Sequence, residues 1–250
     1  MKPFMIYTGN HVFHYTKFES ALKIIATGTL KFGSFENMND IAEVKRDVYG
    51  AIPTETILKE LANYQSISLT LDNASLRGFS IDSLWGHYAQ NGNGVCLVFD
   101  KTRLEQNLSS QYKGKAMIAP ISYLDDFSNA IFADGDHLKA VRHYIKKNIK
   151  DIFFTKSKDW AYEQELRIIK NKSESEEDFH YGEGALLAVI LCLPKVDCYK
   201  TAPEFIVLKS LLPNTPILHY TTSLGNKELL NEDDEQTCNI LGVDLKLDTK

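Results

Sequence analysis

Apolar positions recur along the chain at two spacings, and these divide it into short strands and amphipathic helices. Alternation around Val12 and His14 predicts a strand over 11–16. Thr16 and Glu19 then stand as a capping box for a helix whose stripe includes Leu22 and Ile25, and Gly28 is placed to end it. A strand over 30–34 follows, then an Asn- and Asp-rich loop over 35–43, a helix over 53–64 and a strand over 66–71. The segment 83–89 (SLWGHYA) predicts a short helix closed by a turn at 91–94, the run 95–99 a buried strand, and Asp100 the cap of a helix to residue 107. A strand over 116–123 leads to the longest helical pattern, 136–153, with Leu138, Val141, Tyr144, Ile145, Ile149 and Ile152 on one stripe. Beyond it come a strand over 166–170, an acidic turn over 172–178, and a strand–helix–strand run over 186–193, 202–212 and 216–220.

No repeat and no biased linker interrupts this order. The expectation is a single α+β domain over 1–250, with the polar segment 222–236 loosely attached and 240–247 available as an edge strand. Composition changes little, since 44% apolar and 24% charged residues are ordinary for a globular chain. A length of 250 residues buries a sizeable core without a metal or disulfide staple. Lys+Arg 28 against Asp+Glu 33 leaves −5, which excludes a strongly cationic nucleic-acid binder. The four cysteines contain no C-x-x-C pair; Cys96 and Cys192 read as small buried hydrophobes, while Cys198 and Cys238 lie in more polar surroundings. The N-terminus lacks the apolar stretch of an export signal, and the longest apolar run, 185–193, is far short of the ~20 residues of a membrane span. A soluble, cytoplasmic protein is expected.

Three clusters carry candidate chemistry. His14-Tyr15-Thr16 ends a strand just before a helix, a junction that often lines a ligand cleft. Alternatively Thr16 is only a cap and His14 a satisfied, partly buried residue. Trp85-Gly86-His87-Tyr88, followed by Gly92 and Gly94, reads in two ways. Trp85 and Tyr88 share a helix face as core anchors, or His87 and Tyr88 sit at the mouth of a site whose glycines let backbone approach a ligand. In the third cluster, an extended backbone from 160 onward would put Glu163, Glu165 and Arg167 on one face, with Leu166 and Ile168 on the other. A helical start at Trp160 would break that alternation, and the plain alternative is a solvated strand face.

The basic residues between Lys139 and Lys158 (Arg142, Lys146, Lys147, Lys150 and Lys156 among them) read foremost as the wet face of a helix, with phosphate contact as the alternative. No Walker A, G-x-G-x-x-G, G-x-S-x-G or H-E-x-x-H motif is present, and the seven histidines show no metal-ligand spacing.

Read in order, HYT, I-x-x-G-x-L (25–30), SFENMND (34–40), W-x-HYA, G-V-x-L-x-F-D and W-x-YE-x-E-x-R resemble a large uncharacterised bacterial family. The resemblance runs from about Phe13 to Arg167 and continues more weakly through Ala188 to Leu191. Two departures are Ile41 where that family often has Pro, and Ser68-Leu69-Thr70 in place of a Cys-Phe-Ser strand; neither is expected to touch the Glu-bearing segment. That family in turn resembles the ADP-ribosyltransferase superfamily.

This second resemblance implies an α+β fold with a bent or split antiparallel-rich sheet and flanking helices. It also implies NAD as substrate and ADP-ribose transfer to a macromolecular acceptor, protein or nucleic acid, in toxin or antiphage defence. Cleaving the nicotinamide–ribose bond develops positive charge on the ribose, which a carboxylate can hold. Glu165, the deeper of the pair, is the implied catalytic residue, with Glu163 turned toward the acceptor. His14 would meet a ribose oxygen and Tyr15 or Tyr88 the nicotinamide ring. Thr16, Trp85 and His87 would complete the cleft, and Arg167 would orient Glu165 or meet a phosphate. His14, Tyr15 and Tyr88 are then expected to converge with Glu163 and Glu165. Two other readings stand beside this one: a non-catalytic nucleotide- or partner-binding module, and a metal-dependent nuclease using His14, His87 and Glu165.

Overall fold

A computed structural model of the chain describes residues 10–35, 38, 48–49, 54–73, 76–125, 131–132, 138–173, 175, 177–193, 199–223 and 226–230. Most of the loop 35–43, together with Cys198, Cys238 and the segment 240–247, lies outside them.

Strand β1 (His11–Thr16) and helix α1 (Phe18–Thr27) lie where the pattern placed them, with Gly28 left-handed at the helix end (φ 66°). The helix start differs. Thr16 stays in β1 opposite Val95, Lys17 takes the N-cap position, and no side chain caps the helix, so the Thr16–Glu19 box does not form. The strand expected at 30–34 is two pieces, β2 (Thr29–Leu30) and β3 (Gly33–Ser34). Then follow β4 (Val48–Tyr49), α2 (Thr54–Leu61), β5 (Tyr64–Leu71), α3 (Asp82–Tyr88), β6 (Val95–Asp100) and α4 (Lys101–Tyr112). Asp100 caps α4 as expected, its Oδ1 accepting the Arg103 N–H at 3.0 Å. The helix runs beyond residue 107 because Leu104, Leu108 and Tyr112 form one buried stripe.

The strand expected at 116–123 is two pieces, β7 (Ala116–Pro120) and β8 (Ser122–Leu124), with Ile121 between them. After β9 (Ile131–Phe132), the long helical pattern breaks at Asn148 into α5 (Leu138–Lys147) and α6 (Ile149–Phe153). Then come β10 (Thr155–Ser157), a 3₁₀ turn (Lys158–Glu163), β11 (Glu165–Asn171), β12 (Phe179–His180), β13 (Leu186–Cys192), α7 (Pro203–Leu211), β14 (Ile217–Ser223) and β15 (Asn226–Leu230).

The chain divides into two compact units, the first made of 1–29, 69–107 and 180–250, the second of 30–68 and 108–179. In the first unit the strand order is β15-β14-β13-β6-β1, with Thr70 and Leu71 of β5 on the far side of β1. All these pairs are antiparallel except β13–β14, which are parallel and joined through α7. The segment 222–236, read as a loose tail, begins with a paired strand, since Thr222 stands opposite Lys227 and Tyr220 opposite Leu229; 231–236 lies outside the described residues. β6 is buried along Val95–Phe99, and burial pushes the Cys96 thiol well above its usual value, so it is the inert hydrophobe its surroundings suggested.

In the second unit β3 pairs with β5 (Gly33 opposite Ser66), β5 neighbours β11, and β11 runs antiparallel to β7 from Leu166–Pro120 to Lys170–Ala116. β10 pairs in parallel with β8. The amphipathic stripe of α5 and α6 buries Val141, Ile145, Ile152 and Phe153 against Phe35, Ile57, Leu61, Tyr64 and Ile169. The fold is therefore α+β, an antiparallel-rich, non-barrel sheet with flanking helices. Among the described residues no helix is long and apolar enough to cross a membrane.

Candidate functional site

Among the described residues a dense polar cluster forms where β10, the 3₁₀ turn and β11 meet in the second unit. Ser157 closes β10 and opens the turn, its Oγ accepting the Asp159 N–H at 3.4 Å. The turn ends at Gln164, whose backbone is left-handed (φ 49°, ψ 44°), and β11 starts at Glu165. The segment is thus helical from Lys158 to Glu163, so the expected strand alternation holds for Glu165 and Arg167 in β11 and does not extend to Glu163. The three still converge. The left-handed residue turns both glutamates onto one lysine, with Lys156 Nζ 2.7 Å from Glu163 Oε2 and 3.1 Å from Glu165 Oε2.

Arg167 then clamps Glu165 from two positions along β11, donating through Nε to Oε1 at 2.7 Å and through Nη2 to Oε2 at 2.9 Å. Its Nη1 donates to the Phe153 carbonyl at 2.7 Å, and its guanidinium lies over the Phe35 ring at 5.5 Å. From β5, the Ser68 hydroxyl donates to Glu165 Oε1 at 2.7 Å, and the Glu165 N–H donates to the Tyr123 hydroxyl at 2.8 Å. Trp160 completes the rim, its ring 5.3 Å from the Lys156 ammonium.

Lys156, Glu163, Glu165 and Arg167 are all buried, whereas Ser68 is exposed. Two carboxylates and two cations balance, which is the condition for keeping four charges out of water. Burial alone pushes the Glu165 carboxyl up. The charges of Arg167 and Lys156, with hydrogen bonds from Arg167 and Ser68, outweigh it and bring the group down to about 2. Glu165 is therefore a fixed anion at any physiological pH and a poor general base. A charge held in place in a low dielectric suits it to electrostatic stabilisation of a developing cation.

Residues 84–168 match a family described as proteins of unknown function, DUF2971. A family of unknown function is what the ordered motifs resembled. The DUF2971 match spans about a third of the chain, from α3 into β11. It includes Trp85, His87, Tyr88, Lys156, Glu163, Glu165 and Arg167, and leaves His14, Tyr15, Thr16 and Ser68 outside. The chain matches no curated protein and no solved structure.

The other candidates lie in the first unit. Tyr15 and Trp85 are buried and meet edge to face, centroids 5.0 Å apart. The Tyr15 hydroxyl donates to the Gly78 carbonyl at 2.6 Å and the Trp85 indole N–H to the Phe79 carbonyl at 2.8 Å. Trp85 also stacks on Tyr220, whose hydroxyl donates to Asp82 Oδ1 at 2.8 Å. Trp85, within the DUF2971 segment, thus anchors a core. His14 is half-buried opposite Leu97 and, as Tyr15's neighbour in β1, points to the other face of the strand. His87 is exposed and meets the half-buried Tyr88 edge to face at 6.3 Å. Gly94 serves a close approach of another kind from the one expected: a Cβ there would lie 2.7 Å from the Thr16 carbonyl oxygen and 2.8 Å from Ala89 backbone atoms.

Three members of the ion cluster escaped the sequence reading. Lys156 belonged to a run read as the wet face of a helix; it is buried because α6 ends at Phe153 and the chain continues as β10. Ser68 was expected not to touch the Glu-bearing segment, and its hydroxyl bonds Glu165. Tyr123 offered no signal beyond its place in a predicted strand. Among the described residues no three His, Cys, Asp or Glu side chains group to hold a metal ion.

Proposed function

We propose that the protein is an ADP-ribosyltransferase-like enzyme that takes NAD as substrate and passes ADP-ribose to a macromolecular acceptor, with Glu165 as its catalytic carboxylate. The observation that carries this reading is a buried, permanently ionised Glu165 clamped by Arg167, Lys156 and Ser68. As the nicotinamide–ribose bond breaks, its electron pair leaves with nicotinamide and the ribose carbon becomes cationic. A nucleophile of the acceptor then bonds to that carbon and releases a proton. The carboxylate need not change protonation state in these steps; it must only be negative and fixed. Each Glu165 oxygen already accepts two bonds. The exposed, neutral Ser68 hydroxyl is the one a ribose hydroxyl displaces most easily. Glu163 shares Lys156 and serves the acceptor side. A role in toxin or antiphage defence follows from the family resemblance.

The same saturation of Glu165 favours a second reading, a module that binds a nucleotide or partner without turnover. Incubation with NAD labelled in the nicotinamide ring, and separately in the adenine ring, separates the two. The enzyme reading expects nicotinamide release that falls roughly 10²–10³-fold in Glu165→Gln. In Glu163→Gln, transfer should fall more than release. Saturable NAD binding without release supports the module. Neither binding nor release removes both.

A further inference from the structure

One member of the ion cluster takes no part in the chemistry proposed for Glu165. Tyr123 is half-buried in β8, its ring packed against the second unit's core and its hydroxyl accepting the Glu165 N–H at 2.8 Å. Its direction is set by the neighbouring strand. β8 and β10 pair in parallel with Tyr123 directly opposite Lys156, so the two side chains leave the ladder on one face. Lys156 reaches the Glu165 carboxylate and Tyr123 reaches the Glu165 backbone. Both ends of one residue are thus held from adjacent positions.

A phenol has one hydrogen to give and lone pairs with which to accept. Accepting the Glu165 N–H fixes the Tyr123 oxygen and leaves its hydrogen to be given. Burial pushes the hydroxyl above its usual value and outweighs that N–H bond, and the charges of Glu165 and Glu163 act in the same direction as burial. Tyr123 therefore stays a neutral donor throughout the physiological range, beside two carboxylates.

This setting selects the kind of ligand atom that fits. The two carboxylates and two cations of the cluster already balance, so nothing there calls for an anion. A hydroxyl suits it better, with one hydrogen to give and lone pairs to fill. Its hydrogen goes to Glu165 Oε1, where the exposed Ser68 hydroxyl now donates. Its oxygen then needs a donor. Arg167 does not serve, because Nε and Nη2 are given to Glu165 and Nη1 to the Phe153 carbonyl. Tyr123 supplies a neutral one.

Resting on the NAD reading, we infer that Tyr123 is a substrate-binding residue: its hydroxyl, oriented by the Glu165 N–H, donates to the oxygen of the nicotinamide-ribose hydroxyl whose hydrogen Glu165 receives. The bond serves recognition. A donor on that oxygen draws electron density from a ribose that is becoming cationic, so Tyr123 contributes to affinity and leaves the barrier after binding to Glu165.

Calorimetric titration of the full chain tests this with carba-NAD, which binds without releasing nicotinamide, and with its 2′-deoxy and 3′-deoxy forms, each altered in the ring that carries nicotinamide. Tyr123→Phe keeps the packed ring and should weaken carba-NAD roughly three- to tenfold, the worth of one neutral hydrogen bond. One deoxy form should bind the parent more weakly by at least as much, and this names the hydroxyl. Toward that form the parent and Tyr123→Phe should agree within about twofold, a coupling that a purely structural Tyr123 does not produce. With NAD itself, Tyr123→Phe should raise KM for nicotinamide release and leave kcat within about threefold. Equal binding of all three ligands by the parent overturns the inference, whether or not the variant folds. So does a Tyr123→Phe loss that persists undiminished with both deoxy forms, or a fall in kcat at unchanged KM. Saturable carba-NAD binding beside any of these results leaves the NAD reading standing, whereas no binding by the parent removes both.

Discussion

Around Trp85 the first unit buries its polar atoms singly. The indole N–H, the Tyr15 hydroxyl and the Tyr220 hydroxyl each donate to one acceptor, at 2.8, 2.6 and 2.8 Å. Around Glu165 the second unit buries four charges at once, and one carboxylate accepts from Arg167, Lys156 and Ser68 together. In the first arrangement the loss of one donor leaves one orphan acceptor. In the second, loss of Arg167 leaves Glu165 to Lys156, which Glu163 also uses. Two motif-bearing clusters of one chain thus differ in how failure spreads: locally in the aromatic core, through every partner in the ionic one.

The sharpest way to break this contrast is Arg167→Met. It leaves Glu165 buried with its clamp gone and should cost about 3–5 kcal/mol in urea unfolding. Adding Glu165→Leu in the same chain should recover much of that loss, since the orphaned charge goes with it. A single-variant loss below about 1 kcal/mol would show that the cluster is not coupled as described.

Acid should come next. Glu165 falls from an ordinary 4.5 to about 2 in the folded chain, so folding favours its ionised form. The associated stability is fully present above pH 4.5 and is lost as pH falls toward 2, on the order of 3 kcal/mol. The tyrosines of the aromatic core move the other way, burial pushing Tyr15 and Tyr220 above their usual value, so they carry no charge anywhere in that window. Denaturant midpoints for the parent and Glu165→Gln, compared from pH 7 to pH 3, should converge on acidification. Parallel curves would contradict the shift.

Smaller again is Trp85→Phe, which keeps a ring in the core and orphans only the Phe79 carbonyl. A loss of roughly 1–3 kcal/mol is expected from the unfolding midpoint. At the bottom of the scale, Lys59→Ala removes an exposed pair with Glu55 (2.8 Å) and should shift stability by less than about 0.5 kcal/mol. A surface pair as costly to lose as the Arg167 clamp would remove burial as the explanation.

Local signals announced much of the fold. Alternation located β1 and β6, the Gly28 stop was left-handed, Asp100 capped α4, and the Cys96 and Cys192 runs were buried strands. Misses occurred where a tertiary contact overrode the pattern. α4 outran its expected end because Leu108 and Tyr112 found burial, and Asn226–Leu230 became a strand by pairing with β14. The site was half legible. Glu163, Glu165 and Arg167 stood out by spacing, although a turn as well as a pleat brings them together. Lys156 and Ser68 could not be found that way, because a lysine in a basic run and a serine in a strand look ordinary until a distant segment meets them.

The left-handed Gln164 has one more effect. In a plain strand, two glutamates two apart would travel together if the strand slid against its neighbour. Here Glu165 belongs to the ladder facing β7, with its carbonyl accepting the Ile121 N–H at 2.9 Å, while Glu163 stays behind in the turn. A one-residue slip of β11 would carry Glu165 and Arg167 away from Lys156 and leave Glu163 with it, opening half the cluster and turning Leu166 and Ile168 to the wrong side. The ion cluster is therefore also a register lock: the observed alignment of β11 is the one in which Glu163 and Glu165 share Lys156.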